Sequence, residues 1–133
     1  MQIDSPFLKV ENLSKSYKAD APPVFEGINF EIERGEFVCI IGHSGCGKTT
    51  ILNVLAGLEE ATDGYAYMLD REIKGPSLDR GVVFQGHALM PWMTVLQNVA
   101  FAVKSKYPDW SKSQIEEHSR KYLAMVGLVS AEN

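Results

Sequence analysis

The stretch Gly42-His43-Ser44-Gly45-Cys46-Gly47-Lys48-Thr49-Thr50 constrains this chain more than any other. A glycine, four variable residues and then Gly-Lys-Thr form the pattern of a phosphate-binding loop (P-loop). Its glycines allow positive φ and let bare backbone approach a ligand; they are Gly42, Gly45 and Gly47. Successive N–H groups there, together with the first turn of a helix, form a cradle for an anion. The pattern therefore predicts a site for phosphate groups.

Two residues at the end of this loop carry specific chemistry. The ammonium of Lys48 can reach the β- and γ-phosphates of a nucleotide, and the hydroxyl of Thr49 is a ligand for Mg²⁺. A glycine-rich turn without any ligand is the simplest alternative. A metal site formed by Cys39, His43 and Cys46 is another, but the P-loop pattern already accounts for that spacing.

The segments on either side of the loop predict alternating strands and helices. The apolar run 37–41 predicts a strand buried on both faces, and a helix should run from Lys48 to a cap near Gly57. Alternating apolar and polar residues over 7–10 and 24–33 predict two antiparallel strands. An antiparallel β layer should therefore accompany a buried parallel sheet.

The second half of the chain predicts two more strands and two helices. Residues 65–69 and 81–85 are typical of short strands, the second of them buried. Thr94 and Ser111 each stand three residues before a glutamine, the spacing of a capping box at a helix start. The second of these helices should end near Gly127.

Composition and charge exclude several classes of protein. The 133 residues are 45% apolar and 23% charged, which is typical of a globular domain. A net charge of −4 without any basic block argues against nucleic acid as a partner. No apolar run approaches the roughly 18 residues of a membrane span, and the N-terminus has no signal-peptide pattern. We therefore expect a cytoplasmic protein, or one that joins a membrane only through a partner.

Taken in order, these motifs resemble the ATP-binding subunit of ABC transporters. Tyr17 precedes the loop at about the family spacing, and Gln85 ends an apolar segment that is followed by Pro91-Trp92 and a helix start. His43-Ser44-Gly45-Cys46 and the stretch 79–95 are most similar to importers of nitrate, cyanate, sulfonates and taurine, with the nitrate and cyanate members nearest. The resemblance implies an α/β fold, a P-loop NTPase of the ABC type that is present in part. It would contain an antiparallel β layer, part of the parallel core sheet and the start of a helical subdomain.

The resemblance also implies roles for individual residues. Tyr17 would stack on adenine, whereas packing inside the β layer is the alternative. Gln85 would sense Mg²⁺ and the γ-phosphate, since an amide meets a metal or its attacking water without adding charge; an ordinary strand-end glutamine is the alternative. Lys48 and Gln85 would be catalytic, and Thr49 and Gln85 would bind the metal. The residues implied in ATP binding are Tyr17, Gly42, His43, Ser44, Gly45, Cys46, Gly47, Lys48, Thr49 and Thr50.

The family organisation predicts how the chain is divided and what it contacts. Residues 1–36 and 62–80 would form the antiparallel β layer, 37–61 and 81–90 the P-loop core, and 91–133 the start of the helical subdomain. The loop 86–93 would contact a transmembrane permease subunit, and Trp92 would either serve that surface or pack under the next helix. The other expected partners are a second ATP-binding subunit and, indirectly, a periplasmic substrate-binding protein. These partners would place the chain peripherally on the inner face of the cell membrane.

Three family motifs do not occur in the 133 residues: the Leu-Ser-Gly-Gly-Gln signature, the Walker B strand with its Asp-Glu, and the switch histidine. The nearest imitation of Walker B, Tyr67-Met68-Leu69-Asp70, is followed by Arg71 and falls where the family has a β hairpin. A glycine that usually follows this aspartate is missing, so the turn should differ. Hydrolysis needs a positioned water and charge neutralisation at the γ-phosphate. We therefore expect this chain alone to bind ATP with little or no hydrolysis.

Two functions from different classes remain open. The chain is either the front of an ATPase that drives import of a small anion, or a truncated module that binds nucleotide or a transporter partner without turnover. Another P-loop NTPase, such as a kinase, would leave Tyr17 and the loop after Gln85 unexplained. Without the later parallel strands of the family, apolar sheet edges should stay open.

Overall fold

The computed structural model describes residues 5–131, which divide into two compact units, one ending at Val82 and the other beginning at Val83. The first unit contains β1 (Leu8–Lys15), β2 (Phe25–Ile32), α1 (Lys48–Ala56), β3 (Asp63–Met68) and β4 (Arg71–Glu72). The second contains α2 (Val95–Lys106), α3 (Lys112–Met125) and a 3₁₀ helix (Val129–Ala131).

The first unit is built on a four-stranded antiparallel sheet in the order β2-β1-β3-β4. β1 lies between its neighbours, so that Leu8 is opposite Ile32 on β2 and Met68 on β3. Leu8, Val10 and Leu13 are buried in the core of this unit. The antiparallel β layer predicted from the alternating segments is confirmed.

Helix α1 packs against this sheet and thereby supports the loop that precedes it. Ile51 and Val54 are buried and belong to one apolar cluster with Leu13 and Phe25. The helix ends at Gly57, whose φ of 76° is left-handed and whose N–H donates to the carbonyls of the last turn. The helix predicted from Lys48 to Gly57 is confirmed.

The two predicted buried strands, 37–41 and 81–85, are wrong. Within the described part of the chain neither segment pairs with a strand, and both are exposed: Ile41 is 92% and Val83 99% accessible. A strand buried in a parallel sheet needs hydrogen-bonding neighbours and a layer on each face. The described residues form an antiparallel sheet only, so segments 37–41 and 81–85 have no neighbouring strand to pair with. These open segments agree with the expected exposure of apolar edges.

The stretch that imitates Walker B forms the hairpin between β3 and β4, as the family order predicted. Met68 is paired with Arg71, so the connection has two residues, Leu69 and Asp70. Their φ angles are 49° and 59°, the double positive φ of a type I′ turn. A leucine is strained there, since only Gly, Asn and Asp adopt this region readily. The strain therefore lies at Leu69, before the aspartate, whereas Arg71, where the family has its glycine, has no positive φ.

Replacing Leu69 with asparagine should stabilise the protein by about 0.5–1 kcal/mol, because asparagine tolerates the left-handed region. The thermal midpoint should rise by roughly 2–6 °C. Leu58 is the matched control: both leucines are 47% exposed, but Leu58 has no left-handed φ. Thermal unfolding of Leu69→Asn and Leu58→Asn checks this, and an equal shift in both would contradict it.

The second unit is a pair of helices that pack on each other. Both begin with the predicted capping boxes, Thr94 with Gln97 and Ser111 with Gln114, which are confirmed. Four of its described side chains are buried: Val103, Ile115, Ser119 and Leu123. Aromatic rings meet at the turn between the helices and on α3; they are Tyr107, Trp110, His118 and Tyr122. Across residues 5–131, no helix has the length and apolar character needed to cross a bilayer.

Candidate functional site

The P-loop lies before α1, and its glycines are required by space and by backbone angle. Gly45 and Gly47 have φ of 79° and 97°. A Cβ on Gly47 would lie 2.8 Å from Cγ1 of Val24, and one on Gly42 would lie 2.6 Å from the sulfur of Cys46. Any side chain at positions 42 or 47 would therefore displace the loop or its support.

The loop presents a set of backbone N–H groups without partners in the described chain. These are the N–H groups of Ser44, Gly45, Gly47, Lys48, Thr49 and Thr50, whereas that of Cys46 donates to the carbonyl of His43 at 3.4 Å. The last three belong to the first turn of α1, where no intrahelical acceptor exists. Free N–H groups and the positive end of a helix dipole favour an anion.

Lys48 folds back over the loop. Its ammonium donates to the carbonyls of Gly42 and His43, both at 2.6 Å, and lies 3.5 Å from the sulfur of Cys46. Because an ammonium has three donors, these contacts engage all of them. The positive charge therefore lies against the backbone of the loop, and together with the free N–H groups it suits a polyphosphate.

The hydroxyl of Thr49 is exposed, and within residues 5–131 it has no hydrogen-bond partner. Thr50 is partly buried. In the same described part, no group of three or more His, Cys, Asp and Glu side chains could hold a metal ion. The oxygen of Thr49 is thus accessible at the edge of the donor set.

Tyr17, two residues after the end of β1, is 62% exposed and does not belong to the core. Its hydroxyl donates to Oε2 of Glu59 at 2.8 Å, and the ammonium of Lys15 lies 5.1 Å from the ring centroid. The alternative that Tyr17 packs inside the β layer therefore does not hold. Because the ring is exposed and is held through its hydroxyl and by Lys15, part of its face is accessible for stacking.

Glu59 is a residue of this site that the sequence analysis missed. Its other oxygen, Oε1, accepts a hydrogen bond from Nδ2 of Asn53 at 2.8 Å, and the ammonium of Lys15 lies 3.8 Å from Oε2. The hydrogen bonds from Asn53 and then Tyr17, with the charge of Lys15, hold the pKa of Glu59 below its usual value. Nothing in the sequence signals this cluster, because Tyr17 and Glu59 are 42 positions apart.

Glu59 should make stability depend on pH in a known direction. The pKa of Glu59 is lower in the folded state, so the unfolded state binds more protons as the pH falls. The ionised carboxylate therefore stabilises the folded state above about pH 4.5, and this stabilisation is lost as the pH falls through the folded-state pKa. Glu59→Gln should therefore lower the free energy of unfolding at pH 7 and reduce its slope between about pH 5 and 3. Urea unfolding across this range measures both. Glu26→Gln, an exposed carboxylate on β2, should keep the wild-type slope.

Gln85 belongs to the second unit, where it is exposed in an irregular segment rather than at the end of a strand.

Trp92 is also exposed, so it does not pack under the following helix. The turn that carries Trp92 is fastened by one side chain on α2, since Oδ1 of Asn98 accepts from the N–H of Met90 at 2.8 Å. Nδ2 of Asn98 donates to the carbonyls of Met90, Met93 and Thr94.

The profile of the ABC transporter family matches residues 25–133. The chain belongs to this family. The bicarbonate transport ATP-binding protein CmpD of Synechococcus elongatus is 46% identical over 128 residues, which are 95% of this chain and 46% of the relative. The nitrate import ATP-binding protein NrtD of the same species is 37% identical over 133 residues, 98% of this chain and 48% of the relative. The chain thus spans about half the length of these curated relatives.

Solved structures give the same result for the fold. The dimeric structure of MJ0796, a bacterial ABC transporter cassette, matches with a TM-score of 0.81 at 30% identity, covering 95% of this chain and 60% of that one. The dimeric structure of MJ0796 in a post-hydrolysis state bound to ADP and Pi matches with a TM-score of 0.77 at 30% identity. The match covers 90% of this chain and 57% of that one. The family and the fold class predicted from the sequence, a partial P-loop NTPase of the ABC type, are confirmed, although residues 5–131 contain no parallel strand pair.

Proposed function

We propose that this chain is the ATP-binding component of an ABC importer, which couples ATP binding and hydrolysis to uptake of a small anion. The observation that carries the proposal is the set of free N–H groups at residues 44, 45 and 47–50, with the ammonium of Lys48 held against the same loop. This donor set suits the negative charge of a polyphosphate. The relative bound to ADP and Pi supports the same ligand class.

The residues of the P-loop divide the work of binding. The free N–H groups of this loop hold phosphate oxygens, and Lys48 exchanges its two loop carbonyls for oxygens of the β- and γ-phosphates. Thr49 offers its free hydroxyl as a ligand to Mg²⁺. Gln85 keeps the role that the family implies, an amide oxygen for a metal ion or for an attacking water. When bound, Mg²⁺ neutralises charge on the β- and γ-phosphates.

Tyr17 supplies the base-binding surface. A nucleobase stacked on an aromatic ring gains about 1–3 kcal/mol without requiring a particular base. The exposed ring of Tyr17, fastened at its hydroxyl, suits this role. The site should therefore accept both ATP and GTP, with the polyphosphate providing most of the affinity.

We infer the partners from the family and from the exposed turn at 86–93. The turn is fastened by Asn98 and carries the exposed Trp92, as a contact for a permease subunit requires. A second ATP-binding subunit and a periplasmic substrate-binding protein complete the importer, which places the chain peripherally on the inner face of the membrane. The predicted division at 1–36 with 62–80, 37–61 with 81–90, and 91–133 is retained as part of this proposal.

The transported anion is proposed only as a class. One relative is named for bicarbonate transport and another for nitrate import, and both substrates are small oxyanions with delocalised charge. The motifs in the sequence resemble those of importers of nitrate, cyanate and sulfonates, and bicarbonate is an addition from the relatives. We therefore propose a small inorganic or organic oxyanion, with bicarbonate and nitrate the first to be tested in uptake.

The proposal is tested by titrating MgATP into the purified chain in a calorimeter while phosphate release is followed on the same sample. We expect saturable binding with little or no release, because the family motifs that position the attacking water do not occur in these 133 residues. Circular dichroism confirms that the sample is folded. A folded chain that takes up no MgATP would overturn the proposed function.

A further inference from the structure

The ring of Tyr17 is held in place by polar contacts rather than by packing. It is exposed, so core side chains do not fix its rotamer. Instead its hydroxyl donates a hydrogen bond to Glu59, which restrains the hydroxyl end of the ring. A tyrosine in solvent that is free to rotate would offer no defined surface to a ligand.

Lys15 restricts the same ring from one side. Its ammonium lies over the ring, a favourable cation–π arrangement, and is itself fixed by a 2.6 Å hydrogen bond to the carbonyl of Glu60. It also lies near the carboxylate of Glu59. With one face of Tyr17 covered by a cation, the opposite face is the one available to a planar ligand.

Glu59 in turn is fixed to the helix that begins at the P-loop. Asn53 on α1 donates to its carboxylate, and the carbonyl of Asn53 accepts from the N–H groups of Leu58 and Glu59 at 2.8 and 3.3 Å. Lys48, at the start of α1, is five residues before Asn53, or about 7.5 Å along the axis. The phosphate-binding end and the ring are therefore tied to one rigid element.

We propose that Glu59 is a positioning residue: it holds the Tyr17 ring at a set place relative to the P-loop, so that the site selects ligands that combine a polyphosphate with an aromatic base. This inference rests on the proposed function, since it takes the P-loop as the phosphate-binding end. A ring that is ordered before the base arrives loses less freedom on binding, and affinity for the base rises accordingly. Bare polyphosphate, which does not reach the ring, is unaffected by Glu59.

The experiment compares two ligands, MgATP and magnesium tripolyphosphate, on the full chain. Three variants are used: Tyr17→Phe, which keeps the ring and removes its donor; Glu59→Ala, which removes the acceptor; and the double variant. Each single change should weaken MgATP binding about threefold to tenfold, the range of one net hydrogen bond, and leave tripolyphosphate binding unchanged. The double variant should bind MgATP no more weakly than the single variant with the lower affinity, because both single changes remove the same contact.

Controls separate positioning from general stability and from the proposed function. Glu26→Ala removes an exposed carboxylate from β2 and should leave both affinities at the wild-type value. Tyr17→Ala should weaken MgATP about tenfold to a hundredfold by removing the stacking surface itself. Should Glu59→Ala fold poorly, Tyr17→Phe alone still tests the contact, since the phenyl ring remains.

The possible outcomes are distinct. Equal loss for both ligands in Glu59→Ala and Tyr17→Phe would show a merely structural role and overturn the inference. So would strong weakening by Tyr17→Ala with no effect of Tyr17→Phe or Glu59→Ala, and in that case the proposed function would stand. A folded wild-type chain that binds neither ligand would overturn both proposals.

Discussion

Replacing Lys48 with alanine should weaken MgATP binding at least about 100-fold. The ammonium would contact oxygens of two phosphate groups, and each charge-assisted hydrogen bond contributes roughly 1.5–3 kcal/mol. In the ligand-free loop the same group bridges the carbonyls of Gly42 and His43, so its removal also loosens the loop that presents the free N–H groups. Calorimetric titration of the variant beside the wild type measures the loss.

Lys18→Ala is the matched control for this change. Lys18 is an exposed lysine in the loop between β1 and β2, and removing it alters the net charge by the same amount. The control should retain wild-type affinity within about twofold, since exposed charges are screened by solvent and salt. Unchanged affinity in Lys48→Ala, or an equal loss in Lys18→Ala, would contradict the assignment of the P-loop as the phosphate site.

Replacing Gly57 with alanine should destabilise the first unit by about 3 kcal/mol or more. Gly57 ends α1 with a φ of 76°, which costs a residue with a Cβ about 1 kcal/mol. The new Cβ would also overlap the backbone carbonyl of Gly75 and approach the nitrogen of Pro76. Backbone atoms do not rotate away as a flexible side chain does, so either α1 or the 75–76 segment must shift. Urea unfolding measures the change.

Gly27→Ala separates the effect of the backbone angle from that of the overlap. Gly27 on β2 has a φ of 61°, but a Cβ there would meet nothing within 4 Å. This variant should lose only about 1 kcal/mol. An equal loss of stability in the two alanine variants would show that the overlap with Gly75 contributes nothing to the loss in Gly57→Ala. It would contradict the close packing of residues 75–76 against the end of α1.

Features determined by short stretches of sequence were predictable. The P-loop, the helix from Lys48 to Ala56 and the capping boxes at Thr94 and Ser111 all depend on residues within one or two turns of each other. Local hydrogen bonds and backbone angles are decided by neighbouring residues, so the pattern and the structure agree. The antiparallel strands β1 and β2 were predicted for a similar reason, since alternating side chains need one covered face only.

The two continuous apolar segments show the limit of such reasoning. Residues 37–41 and 81–85 have the composition of buried strands, and composition reports a preference for burial. It does not report whether a neighbouring strand or a covering layer is present. In the described chain none pairs with them, and both segments stay open.

The sequence by itself determined the phosphate-binding loop, the helix behind it, the caps of the later helices and the family. Only the tertiary structure decided that Tyr17 is exposed and fastened to Glu59, that Lys15 covers the ring, and that Asn53 joins this cluster to α1. The physical reason is the range of the contacts. A cap or a loop forms among adjacent residues, whereas the cluster forms between positions 42 apart that meet only when β1 and α1 pack on the same core.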